Sequence, residues 1–226
     1  MKASITDHNV NLEGFKYFVG AASGVSFGGF GQKETPIGFG KLNYLNQWDT
    51  IPAPKLAEVK LIITTLEVEF ADHDGINLFA GIKVPGLANG KVSLTIGDFN
   101  SGKVKLMKVS PAGDSELVRP INDSPKVIDK LIEFGGKARI VESVLIAIEA
   151  KLHSEFTAGL SSKGAVIVDG GIMVKAEKAA DWKNEVTVDV GMGTCIGYSL
   201  DEPQWDATRD KNKTAVTSLR PDEQGL

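Results

Sequence analysis

The chain has a single cysteine, Cys195, in 226 residues. One thiol excludes an intrachain disulfide framework and any metal site built from several cysteines. Histidine is nearly as scarce. His8, His73 and His153 form no pair at the spacing of helical or hairpin ligands. There is no basic excess: the formal net charge is −4 and the pI about 5.5, and no dense basic run occurs, so nucleic acid is not expected as a partner. No apolar run reaches the roughly 18 residues of a spanning-helix candidate, and the first residues lack the apolar core of a leader peptide. The expected compartment is therefore the cytoplasm for the soluble form. Aromatic residues are few, at 7%.

Hydrophobic residues, by contrast, reach 42%, enough for a core, and glycine is abundant at 25 residues. Many glycines without a repeat imply many turns, which suits a strand-rich fold. The stretch 14–40 (GFKYFVGAASGVSFGGFGQKETPIGFG) alternates loosely between glycine and phenylalanine, and reads as short strands and turns packed on the core. It is not a phosphate loop, because Leu42 follows Lys41 where a Ser or Thr is required and no paired glycine lies upstream. Residues 42–50, bracketed by Pro36, Pro52 and Pro54, read as loop or edge structure.

Segment 55–70 (KLAEVKLIITTLEVEF) reads as a long strand. Leu66, Val68 and Phe70 share one face, Glu67 and Glu69 the other, and the β-branched centre favours extension. Asp74-Gly75 then turns into 76–84, where Ile76, Leu78, Ala80, Ile82 and Val84 share a face, so the two segments read as a hairpin. Segments 91–96 and 103–109 read as two more strands. Ser124 and Pro125 open a short helix whose stripe is Val127, Ile128, Leu131 and Ile132, and Gly135-Gly136 ends it. Segment 139–156 fits a strand or a helix, the strand being favoured for its front half, where Ile146 and Ile148 share a face. Segments 165–168, 172–176, 185–190 and 194–200 complete a series of short strands. The pattern stops at Asp201, and 206–226 reads as a polar, mobile tail. The fold class expected is α+β: a mostly antiparallel, twisted β-sheet with a few short helices, in one domain over 1–205.

Catalytic chemistry finds little support. Asp72-His73-Asp74-Gly75 begins like a calcium loop but lacks the third oxygen ligand and the closing glutamate, and a solvated Asp-Gly turn explains it. Cys195 lies in a strand-like run and reads as a small buried side chain. Gly-x-Ser-x-Gly and Ser-x-x-Lys signatures do not occur in supporting context. No catalytic residue, metal or cofactor is assigned. The lysines stand out more. Lys83, Lys91, Lys103, Lys105 and Lys108 share a stretch with only one acid, Asp98. They read either as an ordinary solvated edge or as a surface for anionic lipid, where each contributes about 1 kcal/mol.

From about residue 77 to 200 the order of segments resembles the pore-forming domain of gasdermins. Four features carry the resemblance: the strand Gly90-Lys91-Val92-Ser93-Leu94-Thr95-Ile96-Gly97, the short helix at 124–134, the β-branched segment 138–156, and a closing strand from Val186 through Gly193-Thr194 to Tyr198. The chain departs from the family at its start, where residues 1–20 contain only Lys2 and Lys16 instead of a basic helix, and it shows neither an autoinhibitory C-terminal domain nor the acylated N-terminal Cys of bacterial members. The resemblance implies a non-enzymatic protein that homo-oligomerises on membranes and inserts amphipathic strands. Lys91, Lys103, Lys105 and Lys108 would then meet anionic lipid, and Leu66, Val68, Phe70, Ile76, Leu78, Ile146 and Ile148 would belong to membrane strands. The protein would be membrane-associated when active. The alternative from the same residues is a structural or interaction subunit of a phage or injection-machine assembly.

Overall fold

The computed structural model describes residues 2–5, 9–12, 15–35, 43–70, 103–148, 165–168, 171–174, 186–189, 195–206 and 215–222. Three short strands come first: β1 (Lys2–Ile5), β2 (Asn9–Leu12) and β3 (Phe15–Phe18). After a 3-10 turn at Ala22–Gly24 come β4 (Gly29–Glu34), β5 (Tyr44–Thr50), the one-turn helix α1 (Ala53–Leu56) and the long β6 (Leu61–Phe70). Next are β7 (Lys103–Pro111), α2 (Val118–Asn122), α3 (Pro125–Phe134) and β8 (Ala138–Ala147). β9 (Ala165–Val168), β10 (Gly171–Val174) and β11 (Val186–Asp189) form a three-stranded antiparallel sheet of their own. β12 (Cys195–Trp205) and β13 (Val216–Pro221) complete the order. The fold is α+β, strand-rich with few short helices, as composition and patterning imply.

The main sheet runs β13-β12-β3-β2-β1-β6-β7-β8-β4-β5, and a further pairing of β12 with β8 closes seven of these strands into a ring. Every pairing in the ring is antiparallel except β1 with β6. β8 is the pivot. One of its edges is held by β12, while the other is shared by β7 and β4, so that Val144 faces both Tyr198 and Val109, and Ile140 faces both Asp201 and Phe30. The β8–β12 register shifts twice, at 195–197 and 198–200, and such bulges bend a strand enough to serve two packing surfaces.

Those surfaces hold two apolar clusters. One is built by Val10, Tyr17, Val68, Leu106, Leu145 and Ile196, from six of the seven ring strands, and so fills the ring. The other lies between β8, β12, β4 and the helices, with Phe18, Phe30, Ile121, Leu131, Ile146 and Tyr198. The two-residue period of a strand sorts the side chains: on β7, Val104 and Leu106 join the first cluster, Met107 and Val109 the second. The same period sends Leu145 and Ala147 of β8 inward and Val144 and Ile146 outward.

The strands over 61–70, 103–111 and the front of 139–156 match expectation, as does β5 as an edge: it is the last strand of the sheet. The helix starts at Pro125 and ends at Gly135, whose φ of +57° needs glycine's freedom. Ser124 does not cap it, because its hydroxyl donates to the Pro120 carbonyl at 2.8 Å. The front of 55–70 is not strand: Lys55 and Leu56 lie in α1. The larger correction concerns the C-terminus. Within 206–226, β13 pairs with β12 from Asp201↔Pro221 to Trp205↔Val216, and Val216 and Leu219 are buried in the second cluster. Two apolar residues three apart are too few to read as periodicity, yet they suffice when a waiting strand edge supplies the hydrogen bonds. Residues 207–214 and 223–226, and the turn and strand expected over 72–96, lie outside the described residues.

Candidate functional site

The arrangement with most to offer function is the end of the ring where the chain leaves and returns twice. β6, β7, β8 and β12 are successive neighbours, each antiparallel to the next. β6 ends at Phe70 and β7 begins at Lys103, with Glu69 opposite Lys103. β8 ends at Ala147 and β12 begins at Cys195, with Ile146 opposite Cys195. Leu106 lies opposite Ala147, so both chain exits sit at one end of the sheet. The segments 71–102 and 149–194 therefore spring side by side from two adjacent strand pairs.

The expected lysines are placed by this register. Lys105 pairs with Glu67 at 2.6 Å, and Lys103 stands opposite Glu69, so acid and base alternate across β6 and β7. Lys108 turns elsewhere: its ammonium lies 5.2 Å from the Phe15 ring centre and 5.8 Å from that of Tyr17, a cation–π arrangement that suits a partly desolvated amine. Lys91 lies outside the described residues. Leu66, half-buried, packs on the ring interior, where Val68 is fully enclosed, and Ile146 and Ile148 are buried in the second cluster. Phe70 closes β6; Ile76 and Leu78 lie outside the described residues.

Sequence reasoning passed over a polar seam between β8 and β12. The Ser143 backbone N–H donates to Ser199 Oγ at 3.0 Å, and the two hydroxyls lie 2.6 Å apart. Ser199 in turn donates to a Glu142 carboxylate oxygen at 3.0 Å. Burial pushes the Glu142 carboxyl up, opposed by the Ser199 hydrogen bond and the Lys108 charge. Two residues on, Asp201 is buried and has no side-chain hydrogen bond or ion pair among the described residues, and burial, with the charges of Glu142, Asp114 and Asp222, pushes it up to about 7. In the sequence, Glu142 interrupts the apolar face of segment 139–156, and Asp201 is the point where the strand pattern stops. A charge inside a strand pattern is the signal that marks both.

Past the seam, Asp222 accepts from Lys33 at 2.8 Å and from Arg139 Nε at 2.7 Å. Burial alone would raise this carboxyl, but the two cations outweigh it and hold Asp222 below the ordinary carboxylate range. Asp222 thus ties the end of β13 to β4 and β8. The Tyr198 hydroxyl donates to the Gly20 carbonyl at 2.6 Å and accepts from the Leu45 N–H at 2.9 Å, while its ring stacks on Phe18 at 5.7 Å. Cys195 is buried, and its thiol is pushed up to about 12 by burial, so no nucleophile is presented there.

Among the described residues no cluster of three or more His, Cys, Asp or Glu is arranged to hold a metal ion, and no helix is long and apolar enough to cross a membrane. The three histidines lie outside the described residues. A scan against protein-family models, a search of curated proteins and a search of solved structures each returned no match to this chain.

Proposed function

We propose that this chain is a pore-forming protein of gasdermin-like type, in which 71–102 and 149–194 extend as two β-hairpins into a membrane while many copies join their strands into one barrel. One observation carries the reading: the two segments leave from adjacent antiparallel strand pairs at the same end of the sheet. A spanning strand takes about 9–11 residues, and each segment has length for two of them and a turn. In lipid only a closed barrel satisfies every backbone donor and acceptor, and its strands must alternate apolar and polar. Leu66 and Val68 alternate with Glu67 and Glu69, and the pattern resumes over 76–84. From Ile146 at the end of β8, Ile148, Ala150 and Leu152 would continue one face, with Glu149, Lys151 and His153 on the other.

Ring closure places a limit on the proposal. Val68, Ile146 and Ile148 are enclosed by the fold, so they anchor the hairpins, and the lipid-facing residues belong to the segments beyond them. Anionic headgroups would likewise compete with Glu67 for Lys105. The test is release of an encapsulated small dye, with retention of a large dextran, from anionic and neutral vesicles. Size-limited release supports the pore, and intact vesicles of both kinds across a wide protein range overturn it.

The same closure favours a second reading, a non-enzymatic structural or interaction subunit of phage or injection-machine type. The ring leaves β5 and β13 as the terminal strands of the sheet, and terminal strands can add neighbours edge to edge. Ordered assembly in solution without lipid, seen by light scattering, would support that reading over the first.

A further inference from the structure

The C-terminal strand β13 is held at two points of opposite electrostatic character. Asp222 supplies one, clamped by Lys33 from β4 and Arg139 from β8. The other is Asp201 of β12, which lies between Ile140 of β8 on one edge and Pro221 of β13 on the other. Asp201 is only 4% exposed, and no donor reaches its carboxyl among the described residues. A buried carboxylate without a partner is strongly disfavoured, whereas the neutral acid is tolerated.

The charged groups around Asp201 explain why no cation rescues it. β8 contributes Glu142 and Arg139, and Arg139 is committed to Asp222. β7 contributes Lys108, which sits over Phe15 and Tyr17, and the turn after β7 contributes Asp114. β13 contributes Arg220, paired with Glu202 of β12 itself, and Asp222 follows it. Lys33 of β4 is held by Asp222. The charges that bear most on Asp201 are those of three acids, Glu142, Asp114 and Asp222.

We propose that Asp201 is a proton-operated catch: β13 docks tightly while Asp201 holds its proton and loosens when Asp201 ionises. The enclosed position, the lack of a partner among the described residues and the three acids whose charges act on it carry this proposal, and the upward displacement of the Asp201 carboxyl to about 7 sets the upper end of the range. Its sign follows from linkage. The docked form binds the proton more tightly than the undocked form, where Asp201 meets water, so docking weakens as pH rises from the ordinary carboxylate range to about 7 and is level above it. The limiting slope is about tenfold in the opening equilibrium per pH unit. Asp222 acts in the opposite sense. Its depressed carboxyl contributes to docking above the ordinary carboxylate range and loses that contribution in acid. Docking is therefore tightest near the ordinary carboxylate range, about pH 4. The catch is independent of the pore proposal and would operate equally in a structural subunit.

Hydrogen exchange of the full chain tests it, with rates corrected for base catalysis and the amides of β8 as internal reference. In the wild type, opening of β13 should rise by up to about tenfold per pH unit between about pH 4 and 7 and level off above that, while β8 stays constant. Asp201→Asn keeps the shape and removes the charge, so its β13 opening should be flat between about pH 4 and 7. Glu142→Gln removes one repelling neighbour, so the Asp201 titration in the docked form should shift downward and the rise in β13 opening should level off at a lower pH than in the wild type. A wild type whose corrected β13 opening does not change with pH overturns the catch, as does an Asp201→Asn protein with the wild-type slope. Should Asp201→Asn not fold, a Glu142→Gln protein whose Asp201 titration stays unmoved overturns it as well.

Discussion

Tyr198 shows what a single residue can hold together. Its hydroxyl joins the Gly20 carbonyl to the Leu45 N–H, two groups far apart in the chain, within the second apolar cluster. Tyr198→Phe keeps the stacking on Phe18 but strands a buried donor and a buried acceptor, so it should cost about 1–3 kcal/mol in denaturant unfolding. A loss below about 0.5 kcal/mol, the range of ordinary surface changes, would mean that the bridge contributes nothing. Cys195 makes a reactivity prediction. Buried and pushed up to about 12, its thiol should resist alkylation in the folded protein at neutral pH and react at once in denaturant; rapid labelling of the native chain would contradict its burial. The sequence reading placed Cys195 correctly because a small apolar residue in a strand pattern has one natural position. It missed the roles of Tyr198, Asp201 and Asp222 because the groups that surround them come from segments distant in sequence, and no local pattern encodes a meeting of that kind.

Among the elements, β13 gives the sharpest lesson. β6, β7 and the front of β8 were legible from alternation or β-branching, and α3 from its apolar stripe, proline start and glycine end. Segment 216–221 has only Val216 and Leu219 to bury, and its polar neighbours look like a tail. What orders it is the free edge of β12, a property of another element. Leu219→Ala should therefore cost about 2–4 kcal/mol, as other large-to-small core changes do, and deletion of 215–226 should lower the melting temperature further by also removing the Asp222 clamp. Thermal unfolding of both variants checks this. A melting temperature unchanged in each would show that the strand adds nothing to the core.

At the scale of the molecule, a ring of seven strands carries two long connections at one end, and the question is whether they build the fold or use it. β6 and β7 meet directly at Glu69↔Lys103, so their pairing does not in itself require the chain between them. Replacing 71–101 by an Asn-Gly turn should leave the register intact, since such dipeptides suit tight antiparallel connections. Shortening a connection of roughly 30 residues to about four removes close to three doublings of loop length, worth about 2 kcal/mol in closure entropy. If 71–102 serves the membrane, the shortened protein should melt cooperatively at or above the wild-type temperature and release no dye from vesicles that the wild type permeabilises. Unfolding of the shortened protein would place 71–102 in the core, and dye release equal to the wild type would remove that segment from the pore. Either result would redirect the functional proposal to 149–194 or to the edges of the sheet.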